Sequence, residues 1–158
     1  MRGSDFDEIA FFRAVAASDA RSVLIGRRAL VVLGFPVLTA DYDFWMHIDD
    51  IECFNELVAP FGITPAHSPE EARRRGRYAL ENDEHIDVLV ARAVPTVEGQ
   101  RVAFDDVWER RRWVPLTTDV AVCLPSHADL ILTKRFAARP KDLEDIRLLS
   151  VIGPEDEP

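Results

Sequence analysis

Three aspartates carry most of the chemical promise of this chain. Asp41 and Asp43 stand two apart in Asp41-Tyr42-Asp43-Phe44-Trp45, and Asp87 interrupts the apolar run His85-Ile86-Asp87-Val88-Leu89-Val90. In an extended strand, residues i and i+2 point to the same face, so Asp41 and Asp43 project side by side. Two ionised carboxylates held that close repel each other, and a fold keeps them when something positive sits between them, most often a divalent cation with oxygen ligands. Taken alone, an Asp-x-Asp pair is more often a hydrated strand end. Asp87 shifts the balance, because a charge inside an apolar strand is costly unless paired or metal-bound. Its bland reading is an exposed strand end, or a partner for one of the arginines. Three acids from two neighbouring strands could hold one or two Mg²⁺ ions. Two such ions can clamp an in-line phosphoryl displacement, one activating the attacking oxygen and the other steadying the leaving pyrophosphate.

The elements that must position these acids are legible in the periodicity. Phe6, Ile9, Phe12 and Val15 predict an amphipathic helix over residues 5–17. Ser22–Ile25 reads as a short strand ending at Gly26, and Arg27–Leu33 as a helix closed by Gly34 and Pro36. The acid-bearing strand spans Asp41–Ile48. Asp50 then looks like the N-cap of a helix with Ile51, Phe54, Leu57 and Val58 on one face, stopped by Pro60 and Gly62. Pro69–Arg75 reads as a short basic helix. Tyr78–Glu81 and His85–Ala91 form a strand pair turned at Asn82-Asp83-Glu84. A strand, a short helix around Val107–Arg110 and another strand fill residues 100–116, and Val120–Leu124 is a further strand. Ser126 with Asp129 resembles a capping box, and a final helix runs from about Lys141 to Val151 with Pro140 at its first turn. The sum is an α+β fold: a mixed sheet flanked by helices, with a C-terminal helical segment.

Size and charge narrow the function. At 158 residues the chain is one ordinary domain, and its 47% hydrophobic and 30% charged content is that of a soluble globular protein. No apolar run approaches a membrane span and the N-terminus lacks a signal-peptide pattern, so a cytoplasmic protein with no membrane partner is expected. Cys53 and Cys123 have no metal-ligand spacing and read as free thiols. A net charge of −9 argues against broad nucleic-acid binding, which needs phosphate neutralisation. It leaves room for a local basic groove, since arginines cluster at Arg73, Arg74, Arg75 and Arg77, and again at Arg110, Arg111 and Arg112. Each cluster reads by default as a solvated helix face. There is no serine hydrolase triad, Walker-type loop or GxGxxG.

The Ile25-Gly26-Arg27 turn, then Thr39-Ala40-Asp41-Tyr42-Asp43, then Ile86-Asp87-Val88-Leu89, resembles the nucleotidyltransferases of the DNA-polymerase-β-like superfamily. The stretch Asp129 to Ile146, with Lys134, Arg139-Pro140-Lys141-Asp142 and Asp145, looks like the ending of small bacterial members, including minimal nucleotidyltransferases of toxin–antitoxin type. The likeness covers roughly residues 5–150. It implies a single nucleotidyltransferase-like domain over residues 1–152 and an acidic tail over 153–158. It also implies that Asp41, Asp43 and Asp87 bind Mg²⁺ or Mn²⁺ and act in catalysis, Asp87 helping to activate the acceptor hydroxyl. Gly26 would let the backbone approach the triphosphate, and Lys134 would pair with phosphate oxygens. Arg27 and Thr39 fall in the same nucleotide-binding region. Two departures stand out: Arg27 replaces the usual Gly or Ser, and Val37 stands where a basic residue is common.

Two readings compete. In the first, the chain is a Mg²⁺-dependent enzyme moving a nucleoside monophosphate from an NTP to an acceptor hydroxyl, with pyrophosphate released. The acceptor is a small molecule such as an antibiotic, a protein side chain or an RNA end, and a homodimer or small partner protein completes the site. In the second, the fold is kept, the triphosphate site is degraded at Arg27 and Val37, and the chain is a binding, regulatory or toxin–antitoxin component. Retention of three crowded carboxylates favours the first. His47 and Trp45 are weaker candidates, as a further ligand and a base-stacking ring, against a solvent-facing histidine and core packing.

Overall fold

The computed structural model describes residues 6–81 and 84–151. Its elements follow in the order α1 (Glu8–Ala17), β1 (Ser22–Ile25), α2 (Gly26–Val32), β2 (Asp41–Met46), α3 (Ile51–Val58), β3 (Thr64–Pro65), α4 (Pro69–Arg75), β4 (Arg77–Glu81), β5 (His85–Leu89), β6 (Ala93–Pro95), β7 (Arg101–Ala103), α5 (Phe104–Glu109), β8 (Arg112–Pro115), β9 (Ala121–Leu124), α6 (His127–Lys134) and α7 (Pro140–Val151). The turn residues Asn82 and Asp83 and the acidic tail lie outside the described residues.

Five strands form one mixed sheet in the order β1-β2-β5-β4-β3. β2 and β5 run parallel, while β1–β2, β4–β5 and β3–β4 are antiparallel. Two small antiparallel ribbons, β6–β7 and β8–β9, stand beside it. The α+β architecture expected from the sequence is therefore observed, with the mixed sheet produced by a parallel pair at its centre.

Alternation along the strands gives each face of the sheet its own core. Leu24, Tyr42, Phe44, Met46, Ile86, Val88, Tyr78 and Leu80 join Phe11, Phe12, Leu30, Ile51 and Phe54 from the helices in the larger cluster. Val23 and Trp45, on the opposite face, pack with Val102, Phe104, Val107 and Cys123 in a smaller one. That second core covers only part of its face. The rest is where Asp43 and Asp87 stand.

Local signals set the helix ends, at Ser126 as the sequence predicts and at Asp7 and Ser68 where no cap was expected. Asp7 caps α1, Ser68 caps α4 ahead of Pro69, and Ser126 Oγ accepts from Asp129 N at 3.2 Å to cap α6. Asp50 sits at the start of α3, but its side chain is used otherwise: its carboxylate accepts the Arg21 guanidinium at 2.8 and 3.1 Å. The strands β3 and β6, two and three residues long, carry no periodic signal and were not expected. No helix among the described residues is long and apolar enough to cross a membrane.

Candidate active site

The register of the central strands assembles the site. Asp43 on β2 is the Cα partner of Asp87 on β5, and Asp41 is the partner of His85. Ile25 lies opposite Asp43 on the β1 side, and Ala79 opposite Asp87 on the β4 side. The sheet face thus holds a row Ile25–Asp43–Asp87–Ala79, with Asp41 and His85 one step towards the strand starts. The sequence placed Asp87 on an adjacent strand; the structure puts it directly beside Asp43.

Gly26 explains how the row is accommodated. Its φ of +72° is left-handed, and a Cβ added there would fall 2.4 Å from Asp43 Oδ2. The missing side chain at the β1–α2 turn is the space that the Asp43 carboxylate occupies. The sequence argument gave this glycine to a passing ligand; its first role in the structure is to make room for the acid.

The electrostatics follow from this packing. Asp43 is pushed up to about 6, first by burial and then by the charges of Asp87 and Asp41, while Lys134 and Lys141 pull in the opposite direction. Asp87 remains exposed, and its Oδ1 lies 3.0 Å from His85 Nε2. His85 Nδ1 reaches Glu81 Oε2 at 3.1 Å. Burial would lower the His85 pKa, but Asp87, Glu81 and Asp41 outweigh it and the net direction is upward. His85 was missed as a site neighbour, although its i,i+2 spacing from Asp87 was the available signal.

Thr39 and Arg28 fix where β2 begins. Thr39 Oγ1 accepts from Asp41 N at 3.1 Å. Arg28 donates to the carbonyls of Thr39 and Asp41 at 3.1 and 3.3 Å and lies over the Tyr42 ring at 4.1 Å. A guanidinium thus reaches the Thr39 backbone from α2, near the place where the chain lacks a basic residue at Val37.

Lys134, at the end of α6, is 4% exposed and donates to Asp145 Oδ2 at 2.8 Å. Asp145, fully buried on α7, also accepts Arg27 Nε at 3.1 Å, while Arg27 Nη2 reaches Glu144 at 2.6 Å. Arg27, expected among the nucleotide-binding residues, is therefore anchored on α7. Asp142, also buried, accepts Arg139 N and Nε at 3.0 and 2.9 Å, closing the start of α7. Burial would raise the Asp142 carboxyl, but these bonds hold it below the usual carboxylate range.

A cleft of about 650 Å³ is lined by Gly26, Asp43, Asp87, Lys134, Arg139, Asp142, Arg75, Arg77, Leu89, Val94 and Phe136, among others, whereas Arg27, Thr39 and Asp41 are not among its lining residues. Trp45 and His47 belong elsewhere. Trp45 is fully buried and donates from Nε1 to Ala91 O at 2.9 Å. His47 is buried beyond the end of β2, where Nδ1 accepts from Asp49 N at 3.1 Å and the ring meets Phe104. A second hollow of about 210 Å³, near Phe12, Trp108 and Cys123, has Arg111 as its charged lining residue.

The donor set tests well against a hard cation. Asp41, Asp43 and Asp87 offer only oxygen, the donor type a hard cation takes. Among the described residues, no group of three His, Cys, Asp or Glu side chains closes into a cation cage.

The mixed sheet, the carboxylate row and the glycine turn together have the nucleotidyltransferase fold. Two solved structures share it. The antibiotic-resistance factor ANT(2'')-Ia superposes with a TM-score of 0.62 at 15% identity, over 94% of this chain and 86% of that one. A protein from Thermotoga maritima, the putative nucleotidyltransferase TM1012, superposes with a TM-score of 0.56 at 14% identity, over 90% and 89%. No family model and no curated protein matches the sequence.

Proposed function

We propose that this chain is a nucleotidyltransferase that moves a nucleoside monophosphate from an NTP to an acceptor hydroxyl and releases pyrophosphate. The new bond joins the acceptor oxygen to the α-phosphorus, and the bond from that phosphorus to the pyrophosphate oxygen breaks. Asp41, Asp43 and Asp87 hold Mg²⁺, with Mn²⁺ as a substitute. When bound, the cation neutralises phosphate charge and lowers the cost of the developing negative charge. Asp87 takes the proton from the acceptor hydroxyl, and His85, with Nε2 3.0 Å from Asp87 Oδ1, orients that carboxylate. Gly26 keeps Asp43 seated against the turn. Lys134 faces the phosphates from the α6 side of the cleft, held in place by Asp145.

The observation that carries this reading is the in-register pair Asp43–Asp87, on a cleft that also receives Lys134. Burial of Asp43 beside the charges of Asp87 and Asp41 raises its proton affinity at a cost in stability, and a bound cation would remove that cost. The test is thermal unfolding of wild type and Asp43→Asn with ATP, CTP, GTP or UTP, each with and without Mg²⁺. Ligand at 100 times its dissociation constant stabilises by about 2.7 kcal/mol. A shift that needs one NTP together with Mg²⁺, and is absent in Asp43→Asn, is the expected result; no shift with any NTP would remove the transferase reading.

A second reading, a non-catalytic binding or toxin–antitoxin component, draws on one observation. Arg27 and Lys134 both spend charge on Asp145, which leaves less for a triphosphate. The same titration decides between the two.

A further inference from the structure

The arginine run on α4 and β4 divides in a way that solubility does not require. Arg73 is bidentate to Glu52 at 2.9 and 2.6 Å, and Arg74 pairs with Glu71. Arg75 and Arg77, which line the cleft, have no carboxylate partner among the described residues. Arg75 meets only the His67 ring, at Nε2. In a chain with 28 acids and 19 bases, leaving two cleft-lining guanidiniums without an acid stands out, because Arg139, which also lines the cleft, and Arg27 on α2 are both paired with carboxylates.

The register places this wall relative to the chemistry. Arg77 pairs with Leu89, and Ala79, two residues on, pairs with Asp87. Arg77 therefore shares the sheet face of Asp43 and Asp87, one step along the strands and on the side away from Gly26 and Lys134. The cleft has carboxylates at its centre, Lys134 on one side and, on the other, the Arg75 and Arg77 guanidiniums, which have no carboxylate partner among the described residues. Triphosphate on the Lys134 side leaves the second positive wall for the other reactant. Planar guanidiniums without a resident acid match phosphate oxygens in bidentate fashion.

We propose that Arg75 and Arg77 hold a phosphate ester of the acceptor, so that the acceptor is an anionic molecule whose hydroxyl is presented to Asp87. This rests on the transferase reading for the word acceptor; the anion site itself does not depend on it. A polycationic acceptor is disfavoured by the same two charges.

The probe is sn-glycerol 3-phosphate, with glycerol as its uncharged counterpart, titrated into the full chain and followed by protein-observed NMR. The ester is expected to bind and glycerol not to. Arg75→Gln with Arg77→Gln weakens ester binding by about tenfold or more, and the Lys/Lys variant recovers part of it. Both residues are exposed, and unfolding curves confirm that the variants fold. Mg²⁺–NTP affinity stays within about twofold in the Gln/Gln variant, and ester and nucleotide bind together. Failure of the ester to bind wild type, or equal binding by the Gln/Gln variant, overturns the proposal. A parallel loss of NTP affinity also overturns it, by giving the arginines to the nucleotide. Wild type that binds the ester through these arginines but no NTP leaves the anion site standing and sinks the transferase reading alone.

Discussion

Asp43 is the residue on which the site's energetics turn. Its carboxyl titrates near 6 in the fold against 3.8 for the ordinary group, so the folded chain binds a proton that the unfolded chain has already released. Stability is thus greatest below pH 3.8 as far as this group is concerned, and is lost as pH rises through 6. At 1.36 kcal/mol per unit the loss is about 2–3 kcal/mol. Urea unfolding of EDTA-treated protein should find Asp43→Asn more stable than wild type by up to that amount at pH 8. The advantage should shrink to nothing as pH approaches 4; an Asn variant no more stable at pH 8 would mean that neither burial nor the neighbouring acids penalise the ionised Asp43. Gly26 gives a second expectation. Alanine there meets both a left-handed backbone, which costs about 1–2 kcal/mol, and the Asp43 carboxylate at 2.4 Å. Gly26→Ala should keep its far-UV circular dichroism and lose the Mg²⁺–NTP thermal shift. These acids were legible in the sequence because two-residue spacing survives any detail of packing. The partnership of Gly26 with Asp43 was not, since a close approach between a turn and a strand 17 residues later leaves no periodic trace.

At the scale of elements, α7 does more than close the fold. Asp145 is fully buried and joins α7 to α6 through Lys134 and to α2 through Arg27. Removing the shared anion leaves a buried ammonium without its partner, a change that costs about 3–5 kcal/mol. Asp145→Asn should lower the urea midpoint accordingly. Arg27→Ala should cost less, because the Arg27 side chain is 22% exposed and can be replaced by water. Equal effects would show that the network is not centred on Lys134. The sequence showed Lys134 as a helix lysine, which by default is solvated; only the docking of α7 turns it into a buried cation. Element existence was read well where apolar periodicity was long, as in α1, α3 and α7. The two-residue strand β3 was invisible because its identity lies in its hydrogen-bonded neighbour, β4.

Across the whole molecule, one sheet separates a complete core from a partial one, and the cleft occupies what the partial core leaves open. Trp45 belongs to that smaller core, edge-on to Phe104 and Phe136 at 5.6 and 5.5 Å. Trp45→Phe should therefore cost about 1–3 kcal/mol of stability, through lost area and the bond to Ala91, and leave nucleotide affinity unchanged. A fall in affinity at constant stability would restore the base-stacking role. The mixed character of the sheet was readable from the hairpin at residues 78–91, but the central parallel pairing was not, because it depends on which strand docks beside which. That pairing sets the order of assembly. The β4–β5 hairpin closes locally, whereas β2 must find β5 across more than forty intervening residues. Contacts so distant in sequence form slowly. On that criterion Asp43 and Asp87 meet after the β4–β5 hairpin has closed. If the three acids hold a cation as proposed, refolding rate, measured by stopped flow, should rise with added Mg²⁺ in wild type and become insensitive to it in Asp43→Asn, which would make the metal a participant in the birth of the molecule.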